Sequence, residues 1–315
     1  MNLPKEFIQN IESVFEEDGK QFIKDFPSLI EDASSCWKLS NVQLVSNLSF
    51  NFVAYATSSL TPLLKGEGNN VVLKIGVPRA ELISEIQALR LYDGNGACKL
   101  IEFDEEKGFL LLERLKPGEM LSELEDDDER THIAIDVMQK IQCRCRVILP
   151  SGEETSPLQE RFIKLSDWFD GLKNIRPHFD GAGPFPQKIL ERVESVLPEL
   201  FTEKHVLLHG DFHHFNILSS KRGWLIIDPK GVIGPAGYEI GPLMLNPWGM
   251  FRDKKQFEVQ TKRRVDIIKE RTGWERESII NWALSHAILS AWWNFESNIE
   301  DAHSLMCAKI FSELK

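Results

Sequence analysis

Nowhere in the 315 residues does an unbroken apolar run approach the ~20 positions that a bilayer-spanning helix needs. The tightest clusters, such as Phe109 to Leu112, have the length of a buried strand, and no membrane partner is expected. Cysteine is scarce and odd in number: Cys36, Cys98, Cys143, Cys145 and Cys307 make no disulfide framework. Cys143 and Cys145 have one residue between them and no second Cys or His pair nearby, so a zinc site is not expected either. Positive charge is outnumbered, with 37 Lys and Arg against 48 Asp and Glu. A net charge of -11 argues against a nucleic-acid binder, which needs a clustered cationic face, and would suit a cationic small molecule. There is no GxxxxGK[ST] motif and no GxGxxG after a strand, which excludes the two commonest glycine-rich phosphate loops. Met1 to Glu6 lacks the basic-then-apolar order of a secretory leader, so a cytoplasmic location is expected.

What is present is enough for a sizeable core. Hydrophobic residues make up 42% and charged residues 27%, and the length suits two domains or one bilobal unit. Phe7, Ile8, Ile11, Val14 and Phe15 recur at helical spacing, and a second helix is predicted from about Asp18 to Phe26, stopping before Pro27. Val42–Val45, Phe50–Thr57 and Val71–Ile75 read as strands, with Lys65–Asn70 as a turn. Pro78–Leu91 returns to helical spacing, and Lys99–Glu102 and Phe109–Leu112 read as two further strands. Beyond Lys116-Pro117-Gly118 the chain is mostly helical, opening with the acidic run Glu123–Glu129, read as a solvated helix start. The expected division is 1–115, a small sheet with one inserted helix and the N-terminal helices, and 116–315, a helical lobe.

The densest chemistry lies in His209-Gly210-Asp211-Phe212-His213-His214-Phe215-Asn216-Ile217-Leu218. Val206–Leu208 before it and Ile217–Leu218 at its end are strand-like, so the polar residues sit on a loop between apolar anchors. Ser219–Gly223 makes a turn, and Trp224–Ile227 forms a strand that ends in Asp228. This hairpin returns Asp228 close to Asn216, so a carboxylate, Asp211, and two oxygen ligands, Asn216 and Asp228, converge. Oxygen ligands suit Mg²⁺, which takes the rest of its shell from water and phosphate. A carboxylate beside them can orient a hydroxyl and accept its proton, the division of labour that phosphoryl transfer requires.

Through these residues and Ile227-Asp228-Pro229-Lys230-Gly231 the sequence resembles the aminoglycoside phosphotransferases of the protein-kinase-like fold. Within them it looks most like the streptomycin 6-phosphotransferase and hydroxyurea phosphotransferase branch. Phe26-Pro27, Trp37-Lys38-Leu39, Trp282-Ala283-Leu284 and Leu289–Trp293 extend the likeness along most of the chain. The resemblance implies an α+β, bilobal fold: a small antiparallel-sheet N-lobe with one key helix, and a larger, mainly helical C-lobe. It implies an ATP- and Mg²⁺-dependent kinase of the antibiotic-resistance type, acting on a hydroxyl of a small, streptomycin-like acceptor. It also implies Asp211 as the base and Asn216 and Asp228 as the magnesium ligands. Pro229 stands where protein kinases have Phe, as is usual in this branch.

The remaining parts of such a site have candidates. Lys74, in Val71–Ile75, would face the α- and β-phosphates, aimed by a carboxylate on the next helix: Glu85, or else Glu81 one turn away. Leu112-Glu113-Arg114-Leu115 resembles the hinge whose backbone reads adenine, which makes Glu113 and Leu115 nucleotide-site residues. The phosphate-covering loop falls at Ser46–Asn51 and contains no glycine. For the acceptor, Glu239 follows the second metal ligand, and Trp282, Ser285, Leu289, Trp292 and Glu296 share one helical face. That face is either a core stripe with an exposed acid or an aromatic wall for a cationic or polyhydroxyl molecule.

Two other readings compete. His209, Asp211, His213 and Asp228 could be recast as the transition-metal cluster of a hydrolase. Alternatively, the chain is an inactive binding module of the same fold, which the glycine-free loop favours and the retention of Lys74, Asp211, Asn216 and Asp228 opposes.

Overall fold

The computed structural model describes residues 3–45, 48–59, 70–148, 159–247, 254–299 and 302–314, with the backbone only for 143–148 and 159. It opens with α1 (Lys5–Cys36), which breaks at Glu16, where φ is 50° and ψ is -122°. Two helical arms are thus present, as expected. Pro27, expected to end the second arm, lies inside it. The arm continues because its apolar face does: Phe26 packs on Phe52 with ring centroids 4.8 Å apart, Ala33 is buried, and Trp37 meets Phe109 edge-on.

Next come β1 (Leu39–Leu44), β2 (Phe52–Ser58), β3 (Asn70–Ile75), α2 (Ala80–Tyr92), β4 (Leu100–Asp104) and β5 (Phe109–Glu113). The strands form one antiparallel sheet in the order β1-β2-β3-β5-β4. Its inner residues, among them Phe52, Ala54, Leu73, Ile75 and Leu111, pack under α1 as a separate small core. The turn expected at Lys65–Asn70 lies outside the described residues up to position 69.

The second lobe is larger and mainly helical. It contains β6 (Pro117–Met120), α3 (Asp127–Ile148), β7 (Ile163–Lys164), α4 (Leu165–Asp170), α5 (Ile175–Phe179) and α6 (Gln187–Leu200). Then follow β8 (His205–Leu208), β9 (Ile217–Ser220), β10 (Gly223–Ile226), β11 (Val232–Pro235), α7 (Ile240–Leu245), α8 (Lys254–Thr272), α9 (Arg276–Glu296) and α10 (Ala302–Glu313). Two small sheets, β10-β9-β6 and β7-β11-β8, carry the polar loop at their edge. The stretch Ile279–Leu289 of α9 is buried on every side, as a helix apolar all round must be. The acidic run before α3 is less solvated than expected. Asp127 turns inward and accepts from Arg264 Nε at 2.8 Å and Arg130 at 2.9 Å, so α3 and α8 are joined by buried charge. No helix among the described residues is long and apolar enough to cross a membrane.

The fold is therefore the bilobal, kinase-like one. The lobes meet on backbone: Cys98 N–H donates to the Ile226 carbonyl at 2.8 Å, and Ile226 N–H to that of Gly96 at 2.9 Å. The Ser84 hydroxyl of α2 donates to the Gly231 carbonyl, just past Asp228. Gly231 has φ +65°, and a Cβ there would lie 2.4 Å from the Ser84 carbonyl oxygen. Gly231→Ala therefore combines left-handed strain with a backbone clash. It should destabilise the protein by about 1–3 kcal/mol, read as a lower urea midpoint with an unchanged slope.

Candidate active site

Three charged side chains from three elements meet in the cleft. Lys74, on β3, is almost wholly buried, and its Nζ lies 2.7 Å from both carboxylate oxygens of Glu85 on α2. The same ammonium pairs with Asp228, after β10. Burial pulls the Lys74 pKa down, but the Asp228 and Glu85 charges outweigh it and hold the amine protonated. Burial pushes Glu85 up against the pull of Lys74. For Asp228 the balance goes the other way, and Lys74 and then Lys230 outweigh burial and lower it. Glu85, rather than Glu81, is thus the partner of the lysine.

The polar loop between β8 and β9 is pinned from beneath. Glu239 is fully buried, and its carboxylate accepts from the backbone N–H of His209 at 2.5 Å and of Gly210 at 3.3 Å. Burial, opposed by these two donors, pushes its pKa up to about 8. His209 donates its Nε2–H to the Ile227 carbonyl, 2.9 Å away, while its Nδ1 accepts from Asp211 N–H at 3.1 Å. Burial lowers the His209 pKa to about 4, so the ring is neutral. Gly210 turns the chain at φ +85°, where a Cβ would meet Val232 at 2.7 Å. This turn delivers Asp211 half-exposed at the cleft, 3.3 Å from His213 Nε2. Burial opposes ionisation of Asp211, yet His213 and then Lys230 hold its carboxyl well below the usual range.

The donor set at Asn216 and Asp228 suits a hard divalent cation. The Asn216 amide nitrogen donates to the Asp211 carbonyl at 3.0 Å, which commits the nitrogen and turns the amide oxygen to the cleft. Ile227 N–H donates to the Asn216 carbonyl at 2.9 Å and sets this residue next to the segment carrying Asp228. Both side chains line the same cavity, and both offer oxygen. The recast as a transition-metal cluster has no such support. Among the described residues no group of three or more His, Cys, Asp or Glu is placed to hold a metal, and both ring nitrogens of His209 are already engaged.

Two cavities open from the cleft. One, of about 530 Å³, lies between sheet and loop and is lined by Lys74, Glu85, Glu113–Gly118, Asn216 and Asp228, with Val53, Val72 and Leu218 as apolar walls. The other, of about 840 Å³, holds Asp211, Lys230, Trp168, Trp293, Glu81, Arg79 and Glu296. Asp228, Glu85, Ser49 and Asn51 line both, so the described part of the expected phosphate loop covers their junction; Ser46 and Asn47 lie outside the described residues.

The expected residues divide accordingly. Lys74, Glu85, Glu113, Leu115, Asn216 and Asp228 meet at the first cavity, and Asp211 and Glu296 at the second. Glu239 and Trp292 line neither. Glu239 is the brace beneath the loop, and Trp292 is buried in a stack with Phe295, with ring centroids 5.5 Å apart. Trp293, the next residue on α9, takes the cavity position instead. The Glu113 side chain faces away from a ligand role: it accepts from Lys99 N–H at 2.9 Å and pairs with Arg222. The sequence reading missed Lys230, whose ammonium is held protonated mainly by Asp228 and also by Asp211. The signal was a lysine two residues after Asp228.

Comparisons with known proteins agree with this geometry. Residues 49–298 match the family described as aminoglycoside/hydroxyurea antibiotic resistance kinase. The streptomycin 6-kinase of Streptomyces glaucescens is 26% identical over 300 residues, covering 94% of this chain and 92% of its own. The hydroxyurea phosphotransferase of Kitasatospora aureofaciens is 29% identical over 280 residues, covering 88% of this chain and 76% of its own. Among solved structures, a choline kinase from Streptococcus pneumoniae superposes with a TM-score of 0.59 over 92% of this chain and 99% of that one; at 15% identity this likeness is one of fold.

The buried Glu239 carboxyl has a testable thermodynamic signature. Its folded pKa, about 8, stands above the unfolded value of about 4.3, so its contribution is present at low pH and is lost as pH rises through about 8. Chemical denaturation at about pH 5 and about pH 8 should show wild type losing more stability across that interval than Glu239→Gln. Equal losses in the two proteins would mean that this carboxyl is ionised throughout.

Proposed function

Because the chain belongs to the aminoglycoside/hydroxyurea antibiotic resistance kinase family, we propose that it transfers the γ-phosphoryl group of ATP to a hydroxyl of an aminoglycoside-like molecule, with streptomycin the first acceptor to test. The observation that carries this reading is the junction of the two cavities at Asp228. Nucleotide-sized space on one side and acceptor space on the other share the carboxylate that a transferring phosphoryl group would pass.

In this reading residues 1–115 cover the nucleotide, and 116–315 carry the catalytic loop and the acceptor pocket. The backbone at Glu113–Leu115 reads adenine, and Lys74, aimed by Glu85, faces the α- and β-phosphates. Asn216 and Asp228 would hold Mg²⁺, which when bound neutralises charge on the phosphate oxygens. Asp211, ionised and on the acceptor side, orients the reacting hydroxyl and takes its proton as the new O–P bond forms and the bond from the γ-phosphorus to the bridging oxygen of the departing ADP breaks. Its depressed pKa makes it a weak base, which suits a loose transition state in which the proton leaves late. Lys230 shares the acceptor cavity with Asp211 and offers a fixed positive charge beside the transferred group.

The acceptor space supports the aminoglycoside-like choice on two grounds. At about 840 Å³ it suits a multi-ring molecule better than hydroxyurea, which has only a few heavy atoms. Glu81 and Glu296 line it together with Trp168 and Trp293, a setting for a cationic polyol.

ATP consumption with streptomycin, confirmed by mass spectrometry of the phosphorylated product, is the direct test, and it also separates an enzyme from an inactive binding module. Asp211→Ala should lower kcat by about 10²–10⁴ while Mg·ATP binding persists. Asp228→Asn should weaken Mg·ATP binding more than Asp211→Ala does, read by calorimetric titration; equal or reversed losses would mean that the roles given to the two aspartates are wrong. The KM for streptomycin, more than that for ATP, should rise with salt and in Glu296→Gln, since exposed charges are screened over about 8 Å at physiological ionic strength. A salt-insensitive KM would remove the cationic pocket and leave the kinase standing.

A further inference from the structure

A buried polar side chain at the acceptor cavity has no role in the scheme above. His286, on α9, lines the same cavity as Asp211 and Gly210, with its ring 6.4 Å from that of Trp293. Its Nδ1 lies 3.1 Å from the hydroxyl of Tyr238, a residue with no exposed surface. The two rings meet edge to face, with centroids 5.5 Å apart. The backbone has made room for this seat: a Cβ on Gly241 would stand 2.3 Å from the His286 Cβ.

The burial of Tyr238 decides which ring nitrogen of His286 carries the proton. A neutral imidazole has one donor and one acceptor, and a phenol must place its own proton. If the hydroxyl donates to Nδ1, both groups are satisfied and the imidazole proton sits on Nε2. If Nδ1 carried the proton, the Tyr238 O–H would be sealed inside the protein without an acceptor, because Nδ1 is its partner among the described residues. Stranding a buried donor is the costlier choice. Burial, opposed by the Asp211 charge, lowers the His286 pKa to about 4, so the ring is neutral at physiological pH. Its Nε2 has no protein partner among the described residues and is not among the sealed polar atoms.

We infer that His286 is an acceptor-binding residue, its tautomer locked by Tyr238 so that Nε2–H donates to an oxygen of the phosphoryl acceptor beside Asp211. The inference rests on the proposed function for the identity of the cavity. The arrangement solves a problem peculiar to a cationic polyol. Such a molecule needs hydrogen-bond donors for its oxygens, and a further cationic donor, beside the Lys230 and Arg79 already in the cavity, would add to the repulsion of its charge. A neutral imidazole donates without repulsion. By holding a lone pair of the acceptor, it leaves the hydroxyl proton free to turn to the carboxylate.

The test has two arms. In the first, nitrogen-15 NMR of the histidine-labelled, substrate-free protein should show His286 as the Nε2–H tautomer, becoming a mixture in Tyr238→Phe. Finding Nδ1–H or imidazolium at neutral pH in wild type would overturn the lock. Adding streptomycin to the Asp211→Ala protein should shift the Nε2–H resonance, a binding readout that needs no turnover; no shift at saturation would overturn the contact. In the second arm, His286→Phe keeps the ring and loses the donor, and His286→Gln keeps a donor near the Nε2 position. The KM for streptomycin should rise about tenfold in the Phe variant while that for ATP stays, and the Gln variant should recover most of the loss. Equal streptomycin KM values in wild type and both variants would overturn the proposal. If wild type bound streptomycin with the resonance shift but transferred nothing to it, the kinase reading of this acceptor would fall and the His286 contact would stand.

Discussion

A protonated lysine between two carboxylates, in a place that water barely reaches, joins the three elements on which the cleft depends. Lys74 comes from the sheet, Glu85 from the helix packed beside it, and Asp228 from the larger lobe. Buried pairs of this kind add little net stability, since desolvation offsets most of the attraction. Removing one partner is another matter: it strands charge in a low-dielectric site and typically costs about 3–5 kcal/mol. The triad therefore acts as a register. The three elements fit together in the one arrangement that brings all three charges within reach, and the lobes are aligned to that arrangement.

The register extends into a chain of alternating charge. From α2, through the sheet, to the loop that carries Asp211 the order is Glu85, Lys74, Asp228, Lys230, Asp211. Each interior member is flanked by opposite sign, so each stays ionised despite burial. Beneath this row runs a second support made of backbone. Lys230 N–H donates to the His209 carbonyl at 2.7 Å, while the N–H groups of His209 and Gly210 go to Glu239. The backbone that presents Asp211 is thus held by Glu239 and the His209 carbonyl, and neither of these residues lines either cavity, which leaves the inner cleft preorganised.

Much of this was legible in the sequence, for identifiable reasons. Alternation and β-branched content marked the five strands of the first sheet, and the apolar anchors around His209–Leu218 located the loop and the hairpin that returns Asp228. Lys74 and Glu85 were legible because a strand and a helix in that order leave few places for a buried lysine. What escaped depended on contacts remote in sequence. The second arm of α1 runs through Pro27 because Phe26 and Trp37 find Phe52 and Phe109 on the sheet, and local propensity contains no trace of that. Glu239 reads as a polar residue near a site, and only the fold shows it beneath the loop. On α9 helical spacing marked the stripe Trp282, Ser285, Leu289 and Trp292, which is core, the first of the two alternatives, while the adjoining face with His286 and Trp293 lines the cavity. His286 was invisible for the same reason: its meaning lies in Tyr238, 48 positions away.

The seat of α2 on the segment after Asp228 carries a consequence for control. The Ser84 hydroxyl grips the Gly231 carbonyl, and the same hydroxyl accepts from Ile163 N–H at 3.3 Å, with Gly231 tucked against the Ser84 and Ala88 of one helical face. To swing outward, as a regulated helix at such a position would, α2 would have to break these contacts and the Lys74–Glu85 pair in the same movement. The helix and the segment after Asp228 are therefore tied so that a displacement of one is felt by the other, and the small lobe cannot shift its helix without loosening the floor of the cleft.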